Sequence, residues 1–288
     1  MSSSIEPYTH LTILQFAAAS GAALSFLAAF WLQFQISGRR RAALQDSSAQ
    51  RTVSISPNWA VGNGVFLTAL LLISRMVDAH RITLPLSDYF DAFLLLGLVL
   101  SLLWAYLRWT RHLWALATFL LPMIFALMVL GIVLGLSGVR HFGAHNPWVA
   151  AHIASVLLGT ASFAAGCVGG ITYLLADRRL KKRGQAGWDL FALPSLASIE
   201  KFTRHAIVLG FALLTLAAIT GIFRAVRDPQ LMGRQWYFSP KVLLTAVVWL
   251  VYGSLLNMRL VPILRGARCA WLSIIGFALL MTVFVLML

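Results

Sequence analysis

From Trp148 to Leu175 the chain runs for 28 residues without an Asp, Glu, Lys or Arg, and two residues later it meets Asp177-Arg178-Arg179-Leu180-Lys181-Lys182-Arg183. As an α-helix that run is ~42 Å long, more than the ~30 Å hydrocarbon core of a bilayer. It is therefore read as a membrane-crossing helix. Apart from Cys167, its only titratable side chain is His152, about one turn inside the end opposite the basic cluster. An unpaired imidazole in hydrocarbon is unfavourable, so His152 implies a partner or a ligand.

The rest of the chain follows the same pattern. Of its residues 60% are hydrophobic and 11% charged, with a mean hydropathy of +0.83, too few polar groups to cover a water-soluble globule. Eight apolar runs, at roughly 10–35, 58–76, 86–107, 113–136, 148–175, 205–225, 239–257 and 269–287, predict an all-α polytopic membrane protein of eight transmembrane helices. Short connections leave no space for a soluble domain, so residues 1–288 are read as one integral membrane domain.

A net charge of +14 would suggest nucleic acid in a soluble protein, but here the basic residues alternate by loop. Arg39, Arg40, Arg41, Arg51, Arg108, Arg111, Arg178, Arg179, Lys181, Lys182, Arg183, Lys201, Arg204, Arg259, Arg265 and Arg268 fall on one side, sixteen of the 23 Lys and Arg. The positive-inside rule assigns that side to the cytoplasm, so both termini are expected on the extracytoplasmic side, with no nucleic-acid partner. The connection 177–204 is the longest and most basic cytoplasmic one. Its Leu193-Pro194-Ser195-Leu196 to Phe202 stretch has apolar residues at helical spacing and is expected to lie along the membrane surface. The first run has Glu6 and no Lys or Arg before it, so it is expected to remain rather than be cleaved as a signal.

Several local features add to this frame. Asn146-Pro147, Ser239-Pro240 and Pro85 with Ser87-Asp88 are helix starts, each expected at the outer face. Five of the seven histidines, His10, His80, His141, His145 and His152, fall on that face too, as do Arg81, Arg140, Arg227, Arg234 and Lys241. Gly166-x-x-x-Gly170, with Gly159, Ala161, Ala165 and Gly169, offers a small-residue face for close helix packing. Pro122 is expected to kink helix four. Cys167 and Cys269 differ in depth and are expected to stay unpaired, and without Cys-x-x-Cys there is neither a thiol-redox motif nor a covalent c-type haem site.

The helix opening with His152-Ile153-Ala154-Ser155-Val156-Leu157-Leu158-Gly159, read with Trp236-Tyr237-Phe238-Ser239-Pro240-Lys241, resembles the cytochrome c assembly membrane proteins, the CcsA/CcmC group of haem handlers. The likeness extends through Pro85 to Phe90, Leu193 to Leu196 with Glu200, Gly210-Phe211, Thr220-Gly221-Ile222, and Trp249 to Arg259. The YpjD/HemX-like eight-helix branch is the most similar. The resemblance implies a non-enzymatic role in handling haem for cytochrome c assembly at the outer face of a bacterial cytoplasmic (inner) membrane. It further implies non-covalent haem b, with His152 and His80 as metal ligands, Trp236 and Tyr237 as platform, and Arg140 and Arg234 near the propionates. Its partners would be the lipid bilayer, haem, and cytochrome c assembly or tetrapyrrole-synthesis proteins. The chain departs from the pattern where the platform has lost most of its tryptophans and its acidic residue, and where Asn257 stands in place of a histidine. A second function, that of a HemX-like membrane regulator of tetrapyrrole synthesis, would act through 177–204. Transport is the third, and the absence of an acidic residue at mid-membrane weighs against it.

Overall fold

In the computed structural model, residues 13–45, 57–78, 88–110, 114–136, 147–181, 194–227, 236–257 and 266–286 are described. They form α1 (Ile13–Gln45), α2 (Pro57–Asp78), α3 (Tyr89–Trp109), α4 (Trp114–Leu136), α5 (Pro147–Lys181), α6 (Leu196–Arg227), a short 3-10 turn (Trp236–Phe238), α7 (Pro240–Leu256) and α8 (Ala267–Val285). No strand occurs among the described residues. This is the form a backbone takes where no water can satisfy its polar groups. Seven of the helices are long and apolar enough to cross a membrane; α7, with 17 residues, is shorter. The exterior is as apolar as the core, with Trp31, Phe66, Leu102, Leu209, Ile219 and Leu250 all exposed. Such a surface suits lipid and not water, and the chain is a multi-pass membrane protein.

The helices pack as two rings of four. In the first, α1 lies against α2, α2 against α3, α3 against α4 and α4 back against α1; in the second the same circuit runs α5, α6, α7, α8 and back to α5. Neighbours within each ring are antiparallel where side chains report the register. Gly21 faces Leu67 and Ser25 pairs with Asn63; His152 meets Ala217, Gly166 meets Ile207 and Gly169 meets Thr203. The rings join where α5 contacts α3 and α4, and where the Phe93 and Phe284 rings meet edge-on at 5.6 Å.

Small residues make the second ring possible. A Cβ at Gly170 would lie 2.8 Å from the backbone oxygen of Ala270, so α5 and α8 are in backbone contact there. At Gly210 a Cβ would meet the Phe163 ring at 2.7 Å, and Phe163 in turn stacks on Tyr252 at 3.7 Å between centroids. The Gly166-x-x-x-Gly170 face therefore packs as expected.

Two predicted helix starts form as read. Asp88 is extended at φ −147°, ψ 178° and accepts from the Asp91 N–H at 3.1 Å, and Ser239 accepts from the Val242 N–H ahead of Pro240. Of the connection 177–204, both ends are helical. Residues 177–181 are the last turn of α5, and α6 begins at Leu196, with Ser195 capping its first turn through the Ser198 N–H. The apolar spacing read there belongs to α6 itself, since Ile199, Thr203, Ile207, Gly210, Leu214 and Ala217 form one continuous buried stripe. At 32 residues, ~48 Å, α6 is longer than a bilayer core is thick, so it projects beyond it.

Candidate functional site

The two ends of the α5–α6 pair differ in chemistry. One carries Arg178, Arg179, Lys181, Lys201 and Arg204; the other, where α5 starts and α6 finishes, carries Trp148, His152, Thr220, Phe223, Arg224 and Arg227. His152 is half-buried between the two helices. Its Nδ1 lies 2.9 Å from the carbonyl oxygen of Ala217 and 3.2 Å from Thr220 Oγ1. A carbonyl can only accept, so Nδ1 must carry the proton and donate it. The neutral ring then has its lone pair on Nε2, which has no hydrogen-bond partner among the described residues. One ring nitrogen is thus anchored to backbone and the other keeps its lone pair available.

Three features of α6 hold that orientation. Thr220 turns its hydroxyl back toward the Leu216 and Ala217 carbonyls, at 2.9 and 3.0 Å, and stays beside the imidazole. At Gly221 a Cβ would lie 3.1 Å from His152 Cε1, so any larger residue would press on the ring. One turn before His152 on the same face is Trp148, whose ring meets Phe223 at 5.1 Å, and the Arg227 guanidinium sits 4.5 Å over Phe223.

Of the residues singled out from sequence, His152 alone is seen in a ligand-ready geometry. Tyr237 is exposed and leans on Phe238 at 4.8 Å, in the 3-10 turn that leads into the Ser239 cap and packs on α7. Of Trp236 only the backbone, in that same turn, is described, and His80, Arg140 and Arg234 lie outside the described residues. Among the described residues no cluster of three His, Cys, Asp or Glu side chains suits a metal ion. Cys167 and Cys269 are buried and not joined in a disulfide, as expected. Asn257, standing where a histidine was expected from the resemblance, closes α7 by donating from Nδ2 to the Gly253 carbonyl at 3.0 Å.

Sequence reading quoted Thr220-Gly221 only as part of the family likeness and gave no site role to them, to Ala217 or to Phe223, because an ordinary apolar helix gives no sign of which residues meet a histidine some 65 positions away. It also missed a second polar cluster. Arg75 of α2 pairs with Asp91 and, at 2.7 Å, with Asp88 of α3, and it donates to Gln15 of α1 at 3.2 Å. The signal was present, since an arginine inside an apolar run requires an acidic or carbonyl partner.

The sequence profile described as Cytochrome C assembly protein matches residues 86–287, well over half of the chain and all four helices of the second ring. The chain belongs to that family. Similar proteins include the cytochrome c biogenesis protein CcsA of Prochlorococcus marinus strain MIT 9312, 27% identical over 236 residues that cover 74% of each chain. The CcsA of strain AS9601 is 26% identical over 81% of this chain and 79% of its own. That of Heterosigma akashiwo is 23% identical over 67% and 70%. No solved structure matches significantly.

Proposed function

We propose that this member of the cytochrome c assembly family binds haem at the extracytoplasmic face and presents it for cytochrome c biogenesis, holding haem b without a covalent bond. The observation that carries this reading is the His152 geometry: Nδ1 fixed to Ala217, Nε2 free, at the end of the bundle away from the basic clusters. The residues present fit the group. Imidazole is a suitable axial ligand, Trp148 and Phe223 supply flat apolar surface, and no thiol pair is required. Haem, when bound, would supply an iron centre, and His152 is the residue whose Nε2 would hold it. The Ala217 carbonyl keeps the proton off that nitrogen, and Gly221 lets the imidazole lie against α6 in one orientation.

His80 is the proposed second ligand, Trp236 and Tyr237 complete the platform, and Arg140 and Arg234 lie toward the propionates. The chain binds and positions and does not catalyse. Its place is the bacterial cytoplasmic membrane with eight crossings, both termini outside, among cytochrome c assembly partners. The test is to supply haem to expressing cells, purify the full chain in detergent and record the Soret band. Wild type is expected to show the band, His152→Ala to lose it, and His80→Ala to retain a band with the spectrum of five-coordinate haem. A colourless wild type, or an unchanged His152→Ala spectrum, overturns the assignment and favours regulation of tetrapyrrole synthesis through protein contacts.

A further inference from the structure

The α6 face that touches His152 continues outward to an arginine. Thr220 meets the ring at Nδ1 and Gly221 at Cε1; Arg224 follows them by four and three residues, so it projects from the same face about one turn, ~5 Å, nearer the helix end. Its side chain is half-buried and interacts electrostatically with the imidazole. Among the described residues, Asp88 and Asp91 hold Arg75, Asp177 holds Lys181, and Glu200 lies near the opposite end of α6. No carboxylate pairs with Arg224 among the described residues. A partly desolvated guanidinium with no carboxylate partner among the described residues, next to a free imidazole nitrogen and an aromatic pair, is a site for an anion on the edge of a flat apolar ligand.

We propose that Arg224 anchors a carboxylate of the porphyrin seated on His152, a residue role distinct from Arg140 and Arg234. The assignment rests on the haem reading, but its chemistry can be tested apart from iron ligation. Arginine suits the task because its planar fork takes a carboxylate through two parallel hydrogen bonds, which lysine cannot do. The other ligand chemistry available to a half-buried arginine at this depth is a lipid headgroup phosphate, and the experiment separates the two.

The experiment titrates detergent-purified full-length protein with haem, haem dimethyl ester and iron-free protoporphyrin IX, following Soret absorbance and tryptophan quenching. Arg224→Gln and Arg224→Lys are compared with wild type, with His152→Ala, and with Arg178→Gln as a charge control at the other end of α5. Circular dichroism confirms the helical fold of each. Wild type is expected to prefer haem to its dimethyl ester by ~10- to 100-fold, the size of one charge-assisted pair. Arg224→Gln should abolish that preference while leaving ester binding unchanged, and Arg224→Lys should restore part of it. Protoporphyrin IX should still bind His152→Ala and be lost by Arg224→Gln. If Arg224→Gln discriminates haem from its ester as wild type does, the anchor is wrong, Arg224 serves headgroups and the His152 reading survives. If no porphyrin binds wild type at all, both fall together.

Discussion

At Gly170 a single methyl group decides whether two helices can meet, because its added Cβ would stand 2.8 Å from a backbone oxygen that cannot swing aside. Gly170→Ala is expected to cost about 1–3 kcal/mol by forcing α5 from α8. Gly62, by contrast, has nothing within 4 Å of its Cβ position, and Gly62→Ala should be neutral or stabilising by up to ~1 kcal/mol through helix propensity. Thermal unfolding of both variants in the same detergent checks the pair; equal shifts would refute the packing account. His152 illustrates the same dependence on a neighbour. The sequence required that the imidazole have a partner, but only the antiparallel register of α5 and α6 selects the Ala217 carbonyl.

At the level of elements, the Arg75 cluster ties α1, α2 and α3 with side chains nearly closed to solvent, at 18% exposure for Arg75, 6% for Asp88 and 3% for Asp91. Removing the guanidinium would leave two buried carboxylates facing each other. Arg75→Met is therefore expected to destabilise by about 3–5 kcal/mol, and adding Asp88→Asn and Asp91→Asn should recover much of the loss, since Asn still caps α3. Denaturant unfolding of the single and triple variants gives the answer; a triple variant no more stable than the single would show that charge is not the cause. α6 teaches the complementary lesson, because the apolar spacing read from Leu196 to Phe202 is the start of a buried stripe that continues along the whole helix.

For the whole molecule, two closed rings of four helices meet mainly along α5, so each half buries most of its own apolar faces. Co-expressed fragments 1–141 and 142–288 should therefore assemble and co-purify; if each aggregates alone and in combination, the rings are not separate packing units. Antiparallel packing gathers Arg178, Arg179, Lys181, Lys201, Arg204 and Arg268 toward one end. A reporter active only in the cytoplasm, fused after Leu288, should be inactive if that end faces the cytoplasm, and activity would reverse the orientation.

Sequence alone determined what depends on transfer free energy and local backbone chemistry: the apolar runs, the helical class, the charge asymmetry, the caps at Asp88 and Ser239, and the need of His152 for company. Motif likeness added the family. Helix boundaries at Leu196 and Lys181, the two-ring circuit, the buried Arg75 pairs and the placement of Arg224 beside the imidazole were decided only by tertiary structure. The physical reason is that hydrophobicity acts residue by residue, whereas in lipid the choice of neighbouring helix is set by steric fit and by polar groups that find partners far along the chain. Those choices are made at Gly170 against Ala270, at Arg75 against Asp88 and Asp91, and at His152 against Ala217, three contacts that no local spacing encodes.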